Sequence, residues 1–302
     1  VPVQEILTTE YSLFSPDEAR LFTKNTGIHA RRVAADHVTC SDLCYSAASQ
    51  LLSDIGDASE IDLLVFVSQS PDYFLPATSV ILQDRLGLRS DCIAFDINLG
   101  CSGYVYGLQV VGQFIQSGAV RKALLLVGDK STISTAFQDK STYPLFGDAG
   151  TATLLSFSAD SNPWFVNSGS DGSGKNSIII EGGHSRNPYG TYSDELLDYD
   201  GNMHSKSHLH LEGLDVFNFA LHRVPQSIQE TLNAAKKSIS DVDYLVLHQA
   251  NGLITKTLAR KLGVPLAHCL TSIEEFGNTS SASIPLTLAF HGDELYGRKD
   301  LS

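Results

Sequence analysis

The residues Asp96-Ile-Asn-Leu-Gly-Cys-Ser-Gly-Tyr-Val-Tyr-Gly107 join a predicted strand to a predicted helix through a turn that contains Cys101. They complete an apolar run, Cys92–Ile97, that predicts a buried strand, and they lead into Tyr104–Ile115, where apolar residues recur at helical spacing. The thiol of Cys101 therefore lies on a sharp turn at a helix N-terminus, where unpaired N–H groups and the helix dipole favour a thiolate. A nucleophile and a small buried residue at a tight junction are equally compatible with this fragment.

Outward from this turn, apolar strands alternate with amphipathic helices. The predicted strands are Asp62–Val67, Cys92–Ile97, Lys122–Val127, Thr151–Phe157 and Tyr244–Leu247. The predicted helices are 41–54, Thr78–Leu86, Tyr104–Ile115, 214–234, Leu253–Leu262 and Ala282–Phe290, of which 214–234 is expected to be interrupted or bent at Pro225. This alternation predicts an α/β protein with a mainly parallel sheet.

The chain divides into three predicted segments. Residues 1–160 form an N-terminal half that carries the cysteine turn, and residues 211–302 form a C-terminal half that repeats the theme of a buried strand ending in a reactive residue. Residues 161–210 connect the halves and are rich in Ser, Gly, Asn and Asp, with short strand-like pieces at Trp164–Val166 and Ser177–Ile180. The repetition predicts a duplicated fold.

Composition excludes several classes of protein. The 302 residues carry a formal net charge of −13, and no stretch clusters the Lys and Arg that binding to nucleic acid requires. No apolar run approaches the ~20 residues that span a bilayer. The five Cys are odd in number and irregularly spaced, so we expect a reducing, cytoplasmic environment instead of a disulfide scaffold.

Two further residues have the placement of site residues. His248 follows the apolar run Tyr-Leu-Val-Leu, so the strand delivers it to the carboxyl edge of a sheet, where α/β proteins place their sites. Asn278 precedes the last predicted helix and taken alone is best interpreted as a helix cap. Together with Cys101, however, these side chains could hold a thiolate and donate hydrogen bonds to an enolate or oxyanion.

Other apparent signals are given less weight. Residues 169–176 nearly match a phosphate-binding loop, but they lead into a strand-like segment instead of a helix. His204, His208 and His210 are interpreted as a solvated loop, because no Cys or close pair of carboxylates accompanies them. Cys40 and Cys44 are interpreted as packing residues. We therefore predict no metal site.

Three motifs carry a resemblance to a known family. They are residues 96–107, His248-Gln-Ala-Asn251 and Gly277-Asn-Thr-Ser-Ser-Ala-Ser-Ile-Pro285, supported by Thr26–Arg32, Phe146–Asp148 and Gly213–Phe217. Together they closely resemble the β-ketoacyl-acyl-carrier-protein synthase III family of the thiolase superfamily. The resemblance implies a thiolase-like fold of two duplicated βαβαβ halves in αβαβα layers, and a homodimer.

The resemblance also implies a reaction. Cys101 would take an acyl group from acyl-coenzyme A, and malonyl-carrier protein would then lose carbon dioxide. His248 and Asn278 would stabilise the resulting enolate, which attacks the acyl-Cys101 thioester to give a 3-oxoacyl-carrier protein. The implied partners are acyl-coenzyme A and an acyl carrier protein, with no metal or redox cofactor and no nucleic acid or membrane insertion.

The same resemblance implies a set of substrate-binding residues, which are Leu75, Gly213, Phe217, Ala250 and Asn251. Leu75 occupies the place from which a partner subunit usually projects a Phe into the acyl tunnel. Four positions depart from the family pattern at the coenzyme A site, namely Leu21, Asn25, Lys140 and Leu253. These departures remove stacking and guanidinium contacts, so they leave the primer open.

The termini carry expectations of their own. Because the sequence starts at Val1, we expect residues to precede it. Family members continue beyond the position of Asp300 into a strand, a Gly-rich loop and a final strand, so the C-terminal half over residues 211–302 is expected to lack its last strands.

Three alternatives stay open. The same site could serve an acyltransferase or a specialised condensing enzyme of secondary metabolism. A cysteine hydrolase uses Cys, His and Asn in this order, but it usually has a Cys-Trp helix start and disulfides. A non-enzymatic partner subunit is the third alternative, against which the retention of all three residues counts.

Overall fold

The computed structural model describes residues 1–199 and 201–295, with the side chain of Ile55 left aside. The strands are β1 (Val3–Leu7), β2 (Ala30–Ala34), β3 (Leu63–Val67), β4 (Ile93–Ile97), β5 (Lys122–Lys130), β6 (Asp148–Ser156), β7 (Ile178–Ile179), β8 (Leu197–Tyr199), β9 (Asn202–His204), β10 (His210–Leu211), β11 (Leu245–Val246) and β12 (Cys269–Leu270). The α-helices are α1 (Pro16–Thr26), α2 (Cys40–Ile55), α3 (Thr78–Arg85), α4 (Gly103–Gln116), α5 (Gly213–Ala235), α6 (Gly252–Leu262), α7 (Ile273–Phe276), α8 (Ser283–Phe290) and α9 (Gly292–Leu295).

The main sheet has the strand order β4-β3-β5-β6. Strand β3 runs parallel to β4 and β5, as predicted, whereas β6 runs antiparallel to β5 over the register from Lys122↔Ser156 to Lys130↔Asp148. A parallel neighbour needs a crossover, usually a helix. No α-helix lies between β5 and β6, so the chain returns in the opposite direction.

Helices cover both faces of this sheet. All five residues of β3 are buried, which is the signature of a strand with apolar layers above and below it. On one face, Phe66 and its neighbours pack against Cys44 and other residues of α2. On the other face, α4 packs against the sheet together with Ile284 and Leu288 of α8. Helix α8 therefore joins the C-terminal half to the core of the N-terminal half.

The described part of the C-terminal half contains the parallel pair β11–β12, with α8 also in contact with β11. Strand β11 is shorter than predicted. It contains only Leu245 and Val246 of the predicted strand Tyr244–Leu247. The predicted half ends at Ser302, and its last seven residues lie outside the described ranges.

Helix α5 continues through Pro225, so of the two expected outcomes the interruption was wrong, whereas the bend stays a prediction. Proline has no N–H to give the carbonyl four residues earlier. That carbonyl belongs to Leu221, and it accepts a hydrogen bond from Lys261 Nζ at 2.6 Å. A side chain from α6 thus replaces the bond that Pro225 removes.

Other local expectations differ in outcome. Ser177–Ile180 contains β7, which pairs antiparallel with β10, whereas Trp164–Val166 forms no regular structure. Residues 1–39 gave no prediction of elements, and they contain the antiparallel pair β1–β2 and the helix α1. Within residues 1–199 and 201–295, no helix is both long and apolar enough to cross a membrane.

Candidate active site

Cys101 lies on the turn between β4 and the N-terminus of α4, as the sequence predicted. Gly103 N–H donates to the carbonyl of Gly100 at 2.7 Å, which closes the turn. A Cβ at Gly103 would stand 2.6 Å from Val67 Cγ1 and 3.4 Å from Ser281 Cβ, so only glycine lets the turn approach the sheet this closely. The turn therefore holds the exposed residue Cys101 against the segment that follows Asn278.

The thiol is not the ready thiolate that its position predicted. Solvent reaches the Cys101 residue, yet the surrounding protein desolvates its thiol and raises its pKa to about 11, and the negative charge of Asp129 adds to this shift. Desolvation and a neighbouring carboxylate both disfavour a second negative charge. The thiol is accordingly protonated near pH 7 in the unliganded chain.

Asn278 is buried and held by the opposite half of the chain. Its N–H donates to the carbonyl of Leu145 at 2.9 Å, and its carbonyl accepts from Gly147 N–H at 3.0 Å. Its Oδ1 accepts from Ser280 N–H at 3.0 Å, so the side chain closes a local turn and does not cap α8, whose N-cap is Ala282. Within the described ranges, Nδ2 of Asn278 forms no hydrogen bond and can donate to a ligand.

The backbone around Asn278 is unusual on both sides. Gly277 has a φ of 66° and a ψ of −160°, a region that residues with a side chain avoid. Ser280 has a φ of 50°, which is uncommon for a residue other than glycine. Strained positions of this kind cluster at functional sites, where the surrounding structure holds them in place.

His248 is half-buried and follows the end of β11 by two residues. Its Nδ1 lies 2.7 Å from Ser283 Oγ, and the same oxygen accepts from Gln249 N–H at 3.3 Å. The hydroxyl can give its hydrogen to Nδ1, and in that arrangement the ring hydrogen lies on Nε2. Desolvation lowers the pKa of His248 to about 4 against the opposing effect of a hydrogen bond with the Ser280 backbone, so the ring is neutral near pH 7.

The three candidate residues meet around the segment Ser280–Ser283. Cys101 approaches it through Gly103, His248 bonds to Ser283, and the side chain of Asn278 bonds to Ser280. This convergence places a thiol, an imidazole and a carboxamide in one locality, where two neutral donors can face a developing negative charge.

Asp129 is a member of the site that the sequence analysis missed. It is buried just after the core of β5, and its Oδ2 accepts from Ser281 Oγ at 2.7 Å and Ser281 N–H at 3.2 Å. Its Oδ1 accepts from Gln69 N–H at 2.7 Å and Ser68 Oγ at 3.1 Å. An acidic residue at the carboxyl end of a buried strand was the signal that could have revealed it.

The predicted substrate-binding residues lie at the ends of elements. Gly213 opens α5, with Phe217 half-buried one turn later, and Ala250 follows His248 by two residues. Asn251 is the N-cap of α6, where its Oδ1 accepts from Ile254 N–H at 2.9 Å, so this oxygen has a structural partner. Leu75 is 81% exposed, which is the most of any large apolar residue described.

The four positions that were expected to depart from the family pattern at a coenzyme A site are all at least partly exposed. Leu21 and Leu253 are 58% and 50% exposed, and Asn25 is exposed as well. Lys140 Nζ binds Glu18 Oε1 at 2.8 Å, so its charge is already paired. Leu21 and Leu253 offer apolar contact, and none of the four side chains is an aromatic ring or a guanidinium.

The signals that were given less weight behave mostly as interpreted. Residues 169–176 form a short turn ahead of β7, and Cys40 and Cys44 are buried in the core. His204 is a correction, because it is buried against Tyr199 and lies 3.2 Å from His210 instead of in a solvated loop. In the described ranges no group of His, Cys, Asp or Glu is arranged to hold a metal ion.

Comparison with known proteins agrees with this architecture. Family models described as 3-oxoacyl-[acyl-carrier-protein] synthase III, and its C-terminal part, match residues 95–172 and 232–295. A β-ketoacyl-[acyl-carrier-protein] synthase III from Clostridium perfringens is 35% identical over 265 residues, which cover 87% of this chain and 78% of the relative.

Two solved structures show how closely the fold agrees. A 3-oxoacyl-(acyl-carrier-protein) synthase III has a TM-score of 0.94 at 33% identity, over 100% of this chain and 91% of that one. The priming β-ketosynthase of the R1128 polyketide pathway has a TM-score of 0.79 at 26% identity, over 99% of this chain and 85% of that one.

The fold of this chain is thiolase-like, and the chain is a condensing enzyme of the acyltransferase class. The chain belongs to the β-ketoacyl-acyl-carrier-protein synthase III family. The resemblance based on the sequence motifs is thereby confirmed.

Proposed function

We propose that this chain catalyses the decarboxylative condensation of an acyl-coenzyme A primer with malonyl-carrier protein, through an acyl-Cys101 intermediate. The observation that carries the proposal is the convergence of Cys101, His248 and Asn278 around Ser280–Ser283. Membership of the family supports the substrate classes. The product is a 3-oxoacyl-carrier protein, with release of free coenzyme A and carbon dioxide.

In the first half-reaction, the Cys101 sulfur attacks the thioester carbonyl of the primer. The sulfur–acyl bond to coenzyme A breaks, and the thiol proton ends on the departing coenzyme A thiolate. Because the pKa of the Cys101 thiol is raised, the proton leaves as the new bond forms and not beforehand. The N-terminus of α4 favours the negative charge that develops on the turn.

In the second half-reaction, malonyl-carrier protein loses carbon dioxide and leaves an enolate on its thioester. Nε2–H of neutral His248 and Nδ2–H of Asn278 donate to the enolate oxygen, so the charge is stabilised by preorganised donors. The enolate carbon then attacks the acyl-Cys101 carbonyl, and the Cys101 thiolate leaves and takes up a proton from solvent, which restores the thiol. This sequence requires neither a metal nor a redox cofactor, because the breaking carbon–carbon bond supplies the electron pair.

The proposal extends to the assembly and to the residues at the entrance. Gly213, Phe217, Ala250 and Asn251 line the path of the substrate arm, and Leu75 reaches the acyl tunnel of a partner subunit in a homodimer. Two features support the homodimer: Leu75 lies in the exposed apolar segment Tyr73–Leu75, and β4 is an edge strand of the main sheet. All five cysteines are free, which fits a reducing cytoplasm.

The test is intact-mass measurement after incubation with a panel of acyl-coenzyme A thioesters, with Cys101→Ala as the control. We expect one primer to add its acyl mass to the native chain and not to the variant. If no thioester adds mass, the proposal of a coenzyme A-primed synthase is wrong. Release of carbon dioxide from malonyl-carrier protein then tests the second half-reaction.

A second candidate is an acyltransferase or specialised condensing enzyme that uses the same three residues. The observation that favours it is the apolar, exposed character of Leu21 and Leu253 at the coenzyme A site, together with the likeness to a polyketide priming synthase. This candidate predicts that acyl-Cys101 passes its acyl group to another nucleophile without release of carbon dioxide.

A further inference from the structure

A cavity whose lining does not include Cys101 lies between β1 and the loop that precedes β6. Its volume is about 250 Å³, below the roughly 300–1,000 Å³ of pockets for drug-sized ligands. The lining is largely apolar and aromatic, and it includes Leu7, Tyr11, Phe137 and Tyr143. A molecule with a single ring would fill a space of this size.

One buried cation, Arg31, lines the cavity. Its residue is 4% exposed, and within the described ranges it is the only buried arginine. Its Nη1 donates to the carbonyl of Phe146 at 2.9 Å, and its guanidinium lies 4.4 Å from the centre of the Tyr143 ring. No carboxylate in the described part of the chain lies within ion-pair distance of it, whereas the neighbouring Arg32 pairs with Glu5 and Glu275.

The acidic groups around Arg31 are already committed elsewhere. Asp148 accepts from Ala34 N–H at 3.0 Å and from the hydroxyl of Thr132 at 2.7 Å. Glu10 lines the cavity and accepts from Leu7 N–H at 3.0 Å. The charge of Asp148 acts on Arg31 without a direct ion pair, so an anion in the cavity would still gain from pairing with the guanidinium. The lining also carries the negative charge of Glu10, which disfavours a ligand with more than the one negative charge that Arg31 neutralises.

We propose that this cavity binds a small monocarboxylate with an apolar body. Its carboxylate pairs with the guanidinium of Arg31, whose planar fork matches a carboxylate, and its body lies against Phe137 and Leu7. The site is separate from the thiol but adjoins its support, because Phe146, which accepts from Arg31, lies between Leu145 and Gly147, the backbone partners of Asn278. The proposal is independent of the condensation chemistry.

The test is calorimetric titration of the full chain with benzoate, without any thioester. Benzamide is the neutral probe of the same shape, and inorganic phosphate is the anion without an apolar body. We expect benzoate to bind with a dissociation constant that is roughly millimolar, given the usual affinity per atom of small ligands. Benzamide and phosphate are expected to bind at least roughly tenfold more weakly.

Variants at Gln4 locate the bound benzoate without disturbing the buried Arg31. Gln4 is an exposed cavity-lining residue of β1. Gln4→Glu should weaken benzoate binding roughly threefold and Gln4→Lys should tighten it by about the same factor, as expected for exposed charges. Arg31→Lys, checked for folding by its melting temperature, should abolish most of the binding.

Three results would overturn the proposal: absence of benzoate binding, equal binding of benzamide or phosphate, or affinities that do not change in opposite directions at Gln4. None of these results depends on whether an acyl-Cys101 intermediate forms. Failure here and failure of the proposed condensation are therefore distinguishable.

Discussion

Ser283 Oγ lies 2.7 Å from Nδ1 of His248, and it is the one hydroxyl that bonds to the imidazole in the described structure. Because this oxygen also accepts from Gln249 N–H, its own hydrogen is available to Nδ1. A serine at the start of α8 can thereby hold the ring hydrogen of His248 on Nε2. The relationship makes the second half-reaction depend on a residue that need not touch the substrate.

Replacing Ser283 with Ala should impair decarboxylation and leave acylation intact. Without the hydroxyl the imidazole loses a partner that orients it, a loss of about 1–3 kcal/mol, or roughly fivefold to 150-fold in rate. Release of carbon dioxide from malonyl-carrier protein measures this effect, and intact mass measures the acylation of Cys101. A variant that slows both steps equally would contradict the assigned role.

Protonation of His248 should destabilise the fold. Its pKa falls from 6.5 to about 4 on folding, so between these values the unfolded chain binds a proton that the folded chain does not. The stability that the folded chain gains from keeping His248 neutral is therefore complete above pH 6.5, and it is lost as the pH falls towards 4. Urea unfolding of the native chain and of His248→Gln at pH 7.5, 6 and 5 checks this. The variant should lose less stability with acid, and equal losses would refute the shift.

Asp129→Asn should make Cys101 easier to alkylate. The substitution removes the negative charge that helps to raise the pKa of the thiol to about 11. We expect iodoacetamide to label Cys101 at least roughly threefold faster at pH 8.5, with the midpoint of the pH profile lowered. Asp148→Asn is the control, since it removes another buried carboxylate that does not act on this thiol. Equal rates in the two variants would show that Asp129 has no electrostatic role.

Gly277→Ala should destabilise the chain and weaken condensation. A Cβ at this position would stand 3.0 Å from the carbonyl oxygen of Leu145, in a backbone conformation with a φ of 66°. The expected loss is about 1–3 kcal/mol of unfolding free energy. Gly169→Ala is the matched control, because nothing lies within 4 Å of the added methyl group. Thermal unfolding of both variants measures the difference, and similar melting temperatures would contradict the strain.

Leu75→Glu should shift the proposed homodimer towards the monomer. Leu75 is 81% exposed in the single chain, and a charge there would have to be buried on association. Leu266→Glu, at a leucine that is 57% exposed on another part of the surface, is the control. Sedimentation velocity should show dissociation in the first variant only. Two unaffected variants would remove Leu75 from the interface.

The sequence predicted those parts of the fold that have strong local signals. The apolar run of β3 and the helical spacing of α4 located both elements to within a residue or two, because every residue of β3 is buried and α4 has one apolar face. The antiparallel direction of β6 was missed, since an apolar strand has the same pattern in either direction. The continuity of α5 at Pro225 was missed because the compensating bond to the Leu221 carbonyl comes from Lys261, which lies 40 residues further along the chain.

The places of the candidate residues in the fold could be predicted from the sequence, but the hydrogen bonds and charges that surround them could not. The turn at Cys101 and the strand that ends at His248 both have local signatures, so the two residues could be singled out from sequence. Asn278 looked like a cap because its Leu145 and Gly147 partners are remote in sequence. The raised pKa of the thiol follows from Asp129 and from desolvation, neither of which a helix N-terminus reveals.

The bonds between Asp129 and Ser281 join residues 152 positions apart, and this separation bears on how the chain is made. Synthesis proceeds from the N-terminus, and contacts between distant residues form late. Cys101 is therefore added to the growing chain well before Asn278 and Ser283. In a nascent chain the thiol is therefore present before its donors, and the proposed chemistry requires that Asn278 and Ser283 have been translated and packed.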